Sequence, residues 1–173
     1  AFQIKRQRLA TGYGPSSPAD LTDWVRDRVA IPLNEWRLLI TSITEHSDSN
    51  ETEDPATQVQ AKLVEIRTAE STLIAARDKA DEILSAWYGA ENMPQVLDMG
   101  GGPADLPGYE SADSDTGQTL FAQWVSYYGP VSTGFCQGVL GLDKALADGF
   151  ASELSASGEL VSGRLSEDGD DSE

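Results

Sequence analysis

The chain has 173 residues, 39% of them apolar, and its 12 Lys and Arg against 29 Asp and Glu give a net charge of -17. This length fits one ordinary domain, or a small domain with appendages, and the apolar fraction is sufficient for a hydrophobic core. Because Cys136 is the one cysteine and His46 the one histidine, an internal disulfide and a zinc site built from His or Cys are excluded.

The N-terminal segment, residues 1–17, is basic in an otherwise acidic chain. It contains Lys5, Arg6 and Arg8 and no acidic residue. We predict an extended arm that binds carboxylates of a partner protein, since opposite charges steer association. The arm is also the one candidate for nucleic-acid contact, because the acidic remainder of the chain repels phosphate. The segment lacks the apolar core of a secretory signal, which predicts a virion or cytoplasmic location.

A first helix is predicted over residues 18–46. Ser17 is a suitable N-cap, and Pro18 suits the first helical position. Pro32 removes a backbone donor, so a kink or break is expected near residues 29–31. The apolar residues recur every three or four positions, which is typical of one helix face: Leu21, Trp24, Val25, Val29, Leu33, Trp36, Leu39, Ile40 and Ile43.

A second and longer helix is predicted over residues 56–88. An acidic linker precedes it, in which Asp54 and Pro55 supply an N-cap and a first helical residue. Gly89 marks its end. The strongest periodicity of the chain supports this helix, because apolar or small residues follow at intervals of three and four: Val59, Leu63, Ile66, Ala69, Leu73, Ala76, Ala80, Ile83 and Trp87.

Residues 98–117 are rich in Gly, Pro and Asp and are predicted to form a long central loop. A third helix is predicted over residues 117–157, with a break at Gly129 and Pro130. Most of its first part belongs to the uncharged run 116–142. Glycines, polar residues and a proline dilute this run, so we predict a buried or interface helix and no membrane span.

Three glycines of the third helix are predicted to contact a partner. Gly134, Gly138 and Gly141 lie close to one face of the helix. Small residues at this spacing allow another backbone to approach closely, either within the fold or across a subunit contact.

Together these patterns predict a mainly α protein: an elongated helical bundle with long kinked helices, the central loop and extended termini. Its helical domain spans residues 18–158, and an acidic tail spans 159–173. Few lysines beside many carboxylates resemble the composition of proteins from salt-loving organisms. The alternative is an acidic protein in ordinary salt whose charge resists aggregation.

No pattern in the chain predicts catalysis, a cofactor or a resident metal ion. His46 lies near Glu45 and Asp48, but no serine of the chain lies in the sequence context of a nucleophile that a histidine base would activate. Cys136 has no cationic neighbours in the sequence to activate its thiol. The run Gly100 to Gly102 lacks the lysine of a phosphate-binding loop. Three acidic strings offer oxygen ligands for Ca²⁺ or Mg²⁺ but do not match a known loop, so solvated loops are expected: residues 48–54, 113–115 and 168–170.

These observations predict a non-enzymatic structural subunit that assembles with copies of itself and with neighbouring structural proteins. By analogy, a virion component of a tailed virus, such as a head-tail connector or minor capsid protein, is the preferred assignment, with a salt-loving host as a further possibility. The first alternative is a helical adaptor or regulatory protein that binds one protein partner. An enzyme with acidic metal ligands ranks last.

Overall fold

A computed structural model describes residues 14, 15, 17–46, 54–106 and 114–160. Over these residues the protein is mixed α/β, with seven α-helices and a four-stranded antiparallel sheet. The predicted fold class, a mainly α and elongated bundle of long kinked helices, is therefore wrong. All but residues 14, 15 and 17 of the predicted arm, and all of the acidic tail after residue 160, lie outside the described residues.

The helices and strands are short. The helices are α1 (Pro18–Asp27), α2 (Leu33–His46), α3 (Pro55–Val59), α4 (Arg77–Trp87), α5 (Ser114–Tyr128), α6 (Thr133–Leu140) and α7 (Lys144–Ser157). The strands are β1 (Ala30–Pro32), β2 (Leu63–Arg67), β3 (Thr72–Ala76) and β4 (Gln95–Asp98), and single 3-10 turns occupy Gln60–Lys62 and Ala90–Asn92.

The predicted helix over 18–46 is two helices, α1 and α2, joined by β1. Its start is confirmed, because the Ser17 hydroxyl accepts a hydrogen bond from the Asp20 N–H at 3.1 Å. The predicted break before Pro32 is also confirmed. The break contains a strand because Ala30 and Ile31 pair with β3.

The predicted long helix over 56–88 is wrong for most of its length. Asp54 caps a helix start as predicted, but that helix, α3, is only 5 residues long. A 3-10 turn and the antiparallel hairpin of β2 and β3 follow, and the chain becomes α-helical again in α4. Of the apolar residues chosen for one helix face, Ala69 is exposed and the others are buried, but those of β2 and β3 lie on both faces of a sheet.

The predicted loop over 98–117 and the helix over 117–157 are corrected at three points. β4 ends at Asp98, and Gly102 to Ala104 turn back beside it, so the loop begins with ordered structure. α5 already begins at Ser114. The third helix breaks at Gly129 and Pro130 as predicted, and it breaks a second time at Gly141, where α6 ends in a left-handed residue.

The sheet has the order β1-β3-β2-β4, and every neighbouring pair is antiparallel. Helices cover both of its faces. On one face, Ile31, Leu63 and Ile74 pack with α1, α2 and α3. On the other face, Ile66 and Leu73 pack with α4 to α7. The protein therefore has three layers, with the sheet in the middle.

Both edges of this sheet are covered by other parts of the chain. At β1, the indole N–H of Trp124 donates to the carbonyl of Ala30 at 2.9 Å, and Pro32 has no N–H to offer. At β4, the N–H of Ala104 donates to the carbonyl of Val96 at 3.1 Å, and residue 103 bridges to residue 97.

Candidate functional site

A groove of about 770 Å³ lies beside the tip of the β2–β3 hairpin. Its walls are the hairpin tip, the segment between α4 and β4, and the helices α6 and α7. We call it the hairpin groove. Its large apolar lining residues are buried or half-buried, and they include Trp87, Met93, Leu142 and Leu146. A volume of this size is sufficient for a peptide segment or a compact organic ligand.

The charged residues of the hairpin groove lie at its exposed rim. They are two bases and two acids: Arg67, Lys144, Glu70 and Asp143. Both bases are in ion pairs, because Arg67 contacts Glu65 at 2.6 Å and Lys144 contacts Asp148. The groove is lined about equally by polar and apolar surface, and a mixed lining of this kind is compatible with a protein-binding surface.

The hairpin tip is held in place by its own side chains. The hydroxyl of Thr68 accepts hydrogen bonds from the N–H groups of Ser71 at 2.9 Å and Glu70 at 3.3 Å. The hydroxyl of Ser71 in turn donates to the carbonyl of Val139 at 2.6 Å. The tip is thereby fixed against the end of α6.

The end of α6 is completed by residues from elsewhere in the chain. The last carbonyls of a helix have no partner within it. Here the hydroxyl of Ser71 donates a hydrogen bond to the carbonyl of Val139, and the hydroxyl of Tyr88 donates to the carbonyl of Leu140 at 2.5 Å. These bonds fix the orientation of the helix that carries the predicted glycines.

The three glycines predicted to contact a partner have two different environments. Gly134 and Gly138 are exposed and line the hairpin groove, and a side chain added at Gly138 would meet nothing within 4 Å. Gly141 has a φ of +65°, and a side chain there would meet Thr68 at 2.4 Å. The close approach at Gly141 is therefore made within the fold, whereas the other two glycines border open space.

A second groove of about 520 Å³ lies on the other side of the hairpin tip. Its far wall is formed by Pro32 and by the start of α2, including Asn34 and Arg37. Gly138 lines both grooves. The exposed surface of α6 and the hairpin tip thus form a ridge with a depression on either side.

An exposed aromatic residue lies on the same helix. Phe135 is 41% exposed, although its ring also packs at 6.2 Å from Trp124 and 6.3 Å from Tyr128. It follows Gly134 directly and precedes Gly138 by one helical turn. α6 therefore presents an aromatic side chain between two small residues, and it carries no charge.

The second notable arrangement is a buried cluster of polar side chains, which we call the Arg28 cluster. Arg28 is only 3% exposed and Glu35 only 5%. The Arg28 guanidinium carbon lies 3.4 Å from the ring centre of Trp24 and 4.3 Å from that of Tyr127. A guanidinium between two aromatic faces is stabilised by cation–π attraction.

Glu35 lies in the first turn of α2, between Arg28 and α5. Its Oε1 is 3.9 Å from Arg28 Nε, and its Oε2 accepts a hydrogen bond from the Tyr128 hydroxyl at 2.8 Å. Burial raises the pKa of the Glu35 carboxyl, and the Tyr128 hydrogen bond, the Arg28 charge and the Trp24 indole only partly oppose that rise. Burial also raises the pKa of the Tyr128 hydroxyl, and the neighbouring Glu35 adds to this rise.

The turn between α1 and β1 is strained beside this cluster. Val29 has a φ of +66°, which is unusual for a β-branched residue. The N–H of Ala30 reaches back to the carbonyl of Arg28 at 2.7 Å, which closes a three-residue turn. α5 holds this turn through Trp124 and through Gln123, whose side-chain amide donates to the Asp27 carbonyl at 2.7 Å.

The sequence did not predict the Arg28 cluster, although one signal points to it. Arg28 follows Trp24 by four positions and Val25 by three, so it continues the apolar face of α1. A charged residue on an apolar face must be paired or satisfied when it is buried. The distant partner Tyr128 has no such local signal.

The remaining residues singled out in the sequence either lie apart from both sites or fall outside the described residues. Cys136 is buried, and burial raises the pKa of its thiol to about 11. His46 ends α2, while its neighbour Asp48 lies outside the described residues. The run Gly100 to Gly102 belongs to the turn after β4. The predicted contacts Lys5, Arg6 and Arg8 also lie outside the described residues.

Of the three acidic strings, the structure describes only Asp54 and the end of the second string at residues 114 and 115. Within the described parts of the chain, no three His, Cys, Asp or Glu side chains converge as the ligands of a metal ion would. Among the described helices, none combines the length and apolar character needed to cross a bilayer.

No protein-family model matches the chain, and no curated protein matches its sequence significantly.

Proposed function

We propose that this protein is a non-enzymatic assembly subunit that binds a second copy of itself through α6 and the hairpin groove. The observation that carries the proposal is the open space over Gly138, together with the exposed Gly134, beside an exposed aromatic residue. Two glycines one turn apart leave room for the backbone of another helix or for a large side chain.

The charge of the chain supports a second copy as the partner. At a net charge of -17, two copies repel each other wherever their acidic surfaces meet. The uncharged run 116–142 supplies α6, so copies that approach along this helix meet carboxylates of the groove only at its rim, at Glu70 and Asp143. In a two-fold arrangement, Phe135 of each copy would pack over Gly138 of the other.

The wider role remains a prediction from composition and analogy. We propose a virion component of a tailed virus, such as a head-tail connector or minor capsid protein, that also contacts neighbouring structural proteins. Such a subunit is found in the virion or in the cytoplasm of a host, which we expect to be salt-loving. The alternative, an adaptor or regulatory protein with one partner, would use the same groove for a different polypeptide.

The association is tested with Gly138→Leu in the full chain. Leucine forms helix well, and the open space at this residue should accept it without loss of stability. We expect the dissociation constant of self-association, measured by analytical ultracentrifugation, to rise at least about tenfold.

The matched control is Gly149→Leu on α7, where an added side chain also meets nothing within 4 Å and which does not line the hairpin groove. This control should associate like the wild type. Equal association of both variants would refute α6 as the interface. A monomeric wild type without a co-purifying partner would refute the assembly role, and a complex with one different protein would favour the adaptor.

The predicted arm has its own test. Deletion of residues 1–10 removes Lys5, Arg6 and Arg8 and should leave the far-UV circular dichroism unchanged while it reduces incorporation into the assembly. If the arm binds nucleic acid instead, the full chain should bind it with an affinity that falls steeply with salt. Normal assembly of the deleted chain would refute the assembly role of the arm.

A further inference from the structure

We propose that Arg28, Glu35 and Tyr128 form a pH-responsive clasp that joins the two helical layers of the protein across the β1 edge of its sheet. Arg28 and Glu35 belong to the layer of α1 and α2, and Tyr128 belongs to α5 in the opposite layer. The Tyr128 hydroxyl reaches Glu35 at 2.8 Å and so crosses the edge of the sheet.

Further contacts follow the same path around β1. Gln123 and Trp124 donate to the carbonyls of Asp27 and Ala30. The Tyr127 ring covers one side of the Arg28 guanidinium. A single turn of α5 therefore holds the end of α1 and the beginning of β1. The left-handed Val29 makes this segment costly to keep in its observed conformation, so it depends on the contacts that α5 supplies.

Of the three groups of the clasp, Glu35 alone changes its charge as the solution passes from acidic to mildly alkaline pH. The Arg28 guanidinium remains charged at every pH at which the protein is folded. Burial and the neighbouring Glu35 raise the pKa of Tyr128, so its hydroxyl remains protonated. Glu35, whose pKa burial raises from 4.5, therefore ionises within the clasp as the pH increases.

The direction of the pH effect follows from this raised pKa. The folded protein holds the Glu35 proton more tightly than the unfolded chain does. The stability that protonated Glu35 contributes is complete below pH 4.5 and is lost as the pH rises through the raised pKa. Mild acid should tighten the clasp, and alkaline solution should loosen it.

The test compares the thermal unfolding midpoints of the full chain and of Glu35→Gln between pH 5 and pH 8. Glutamine keeps an acceptor for Tyr128 but cannot ionise. We expect the wild-type midpoint to fall relative to that of the variant by about 3 °C over this range. Glu45→Gln, at an exposed position on the same helix, is the matched control and should follow the wild type. Parallel curves for wild type and Glu35→Gln would overturn the proposal.

A second variant keeps the test decisive if Glu35→Gln folds poorly. Tyr128→Phe keeps the ring and removes the hydroxyl that lowers the Glu35 pKa. The pH at which the midpoint falls should therefore move upward. An unmoved pH dependence would contradict the role of Tyr128 in the clasp.

Hydrogen exchange locates the effect. For the backbone amides of residues 28–32, we compare the hydrogen-exchange rate of the wild type with that of Glu35→Gln. The ratio of the two rates should increase several-fold from pH 5 to pH 8. The same ratio over β2 and β3 should change less. An equal change in both regions would show a uniform loss of stability and would overturn the clasp as a local device.

Discussion

The side chain of Thr68 fills the space that any side chain at residue 141 would need, since its Oγ1 lies 2.4 Å from the position of a Cβ there. The same hydroxyl organises the hairpin tip by accepting from the N–H of Ser71. The tip of the β2–β3 hairpin therefore packs closely against the end of α6, and this packing requires the glycine at 141 beside the threonine at 68. This contact forms one side of the hairpin groove.

We predict that Gly141→Ala destabilises the protein by about 2 to 5 kcal/mol. Alanine in the left-handed region costs about 1 to 2 kcal/mol, and the contact with Thr68 adds about 1 to 3 kcal/mol of overpacking. Urea unfolding followed by circular dichroism measures the loss. Gly149→Ala, in the open middle of α7, should instead stabilise the protein by about 1 kcal/mol. An unchanged free energy of unfolding in Gly141→Ala would contradict the close packing of Thr68 against Gly141.

The second prediction concerns the core at the centre of the sheet. Leu73 in β3 is fully buried, so Leu73→Ala should cost about 2 to 5 kcal/mol through lost packing and a residual cavity. Leu38 on α2 is 61% exposed, and Leu38→Ala should change the stability by less than about 0.5 kcal/mol. Chemical unfolding of both variants checks the difference, and equal costs would be inconsistent with the described fold.

The sequence predicted which of these residues are buried better than it predicted their secondary structure. Leu63, Ile66 and Leu73 belong to the apolar face of the predicted helix, which we expected to be buried against the core, and they are buried, but in strands. β3 is buried on both faces, so its apolar run lacks the alternation that usually indicates a strand. Its two alanines also favour helix. Tertiary pairing with β1 and β2 therefore outweighed a local pattern that matched a helix by chance.

Helix starts and breaks were predicted more successfully because their signals are local. Ser17 and Asp54 cap the helices they were expected to cap, and Pro130 follows the end of α5. The Arg28 cluster depends on residues far apart in the chain, since Glu35 and Tyr128 meet only when α5 folds over β1. The spacing of residues within one segment therefore cannot predict that contact.

The third prediction concerns the reactivity of Cys136. Burial raises the pKa of its thiol to about 11, so the thiolate is scarce at pH 8 and reagents have little access. A thiol-specific disulfide reagent should label the folded protein at least about a hundredfold more slowly than the urea-unfolded chain. Equal rates for the folded and unfolded chain would show that this helix opens freely.

The fourth prediction concerns salt. Because the net charge of -17 makes the compact state repel itself, the thermal midpoint should increase from low to molar KCl. Sucrose, which is excluded from protein surfaces but does not screen charge, provides the control for preferential exclusion. A midpoint that stays constant or falls in KCl would remove the prediction of a salt-loving host.

The covered edges of the sheet limit how this protein can aggregate. An incoming strand at β1 would have to displace the indole of Trp124 from Ala30 and would meet Pro32. At β4 it would have to displace the returning segment that ends at Ala104. Cross-β fibres grow from free strand edges, so the described domain resists that route while it remains folded. Its sheet is thereby kept out of intermolecular pairing even at high protein concentration.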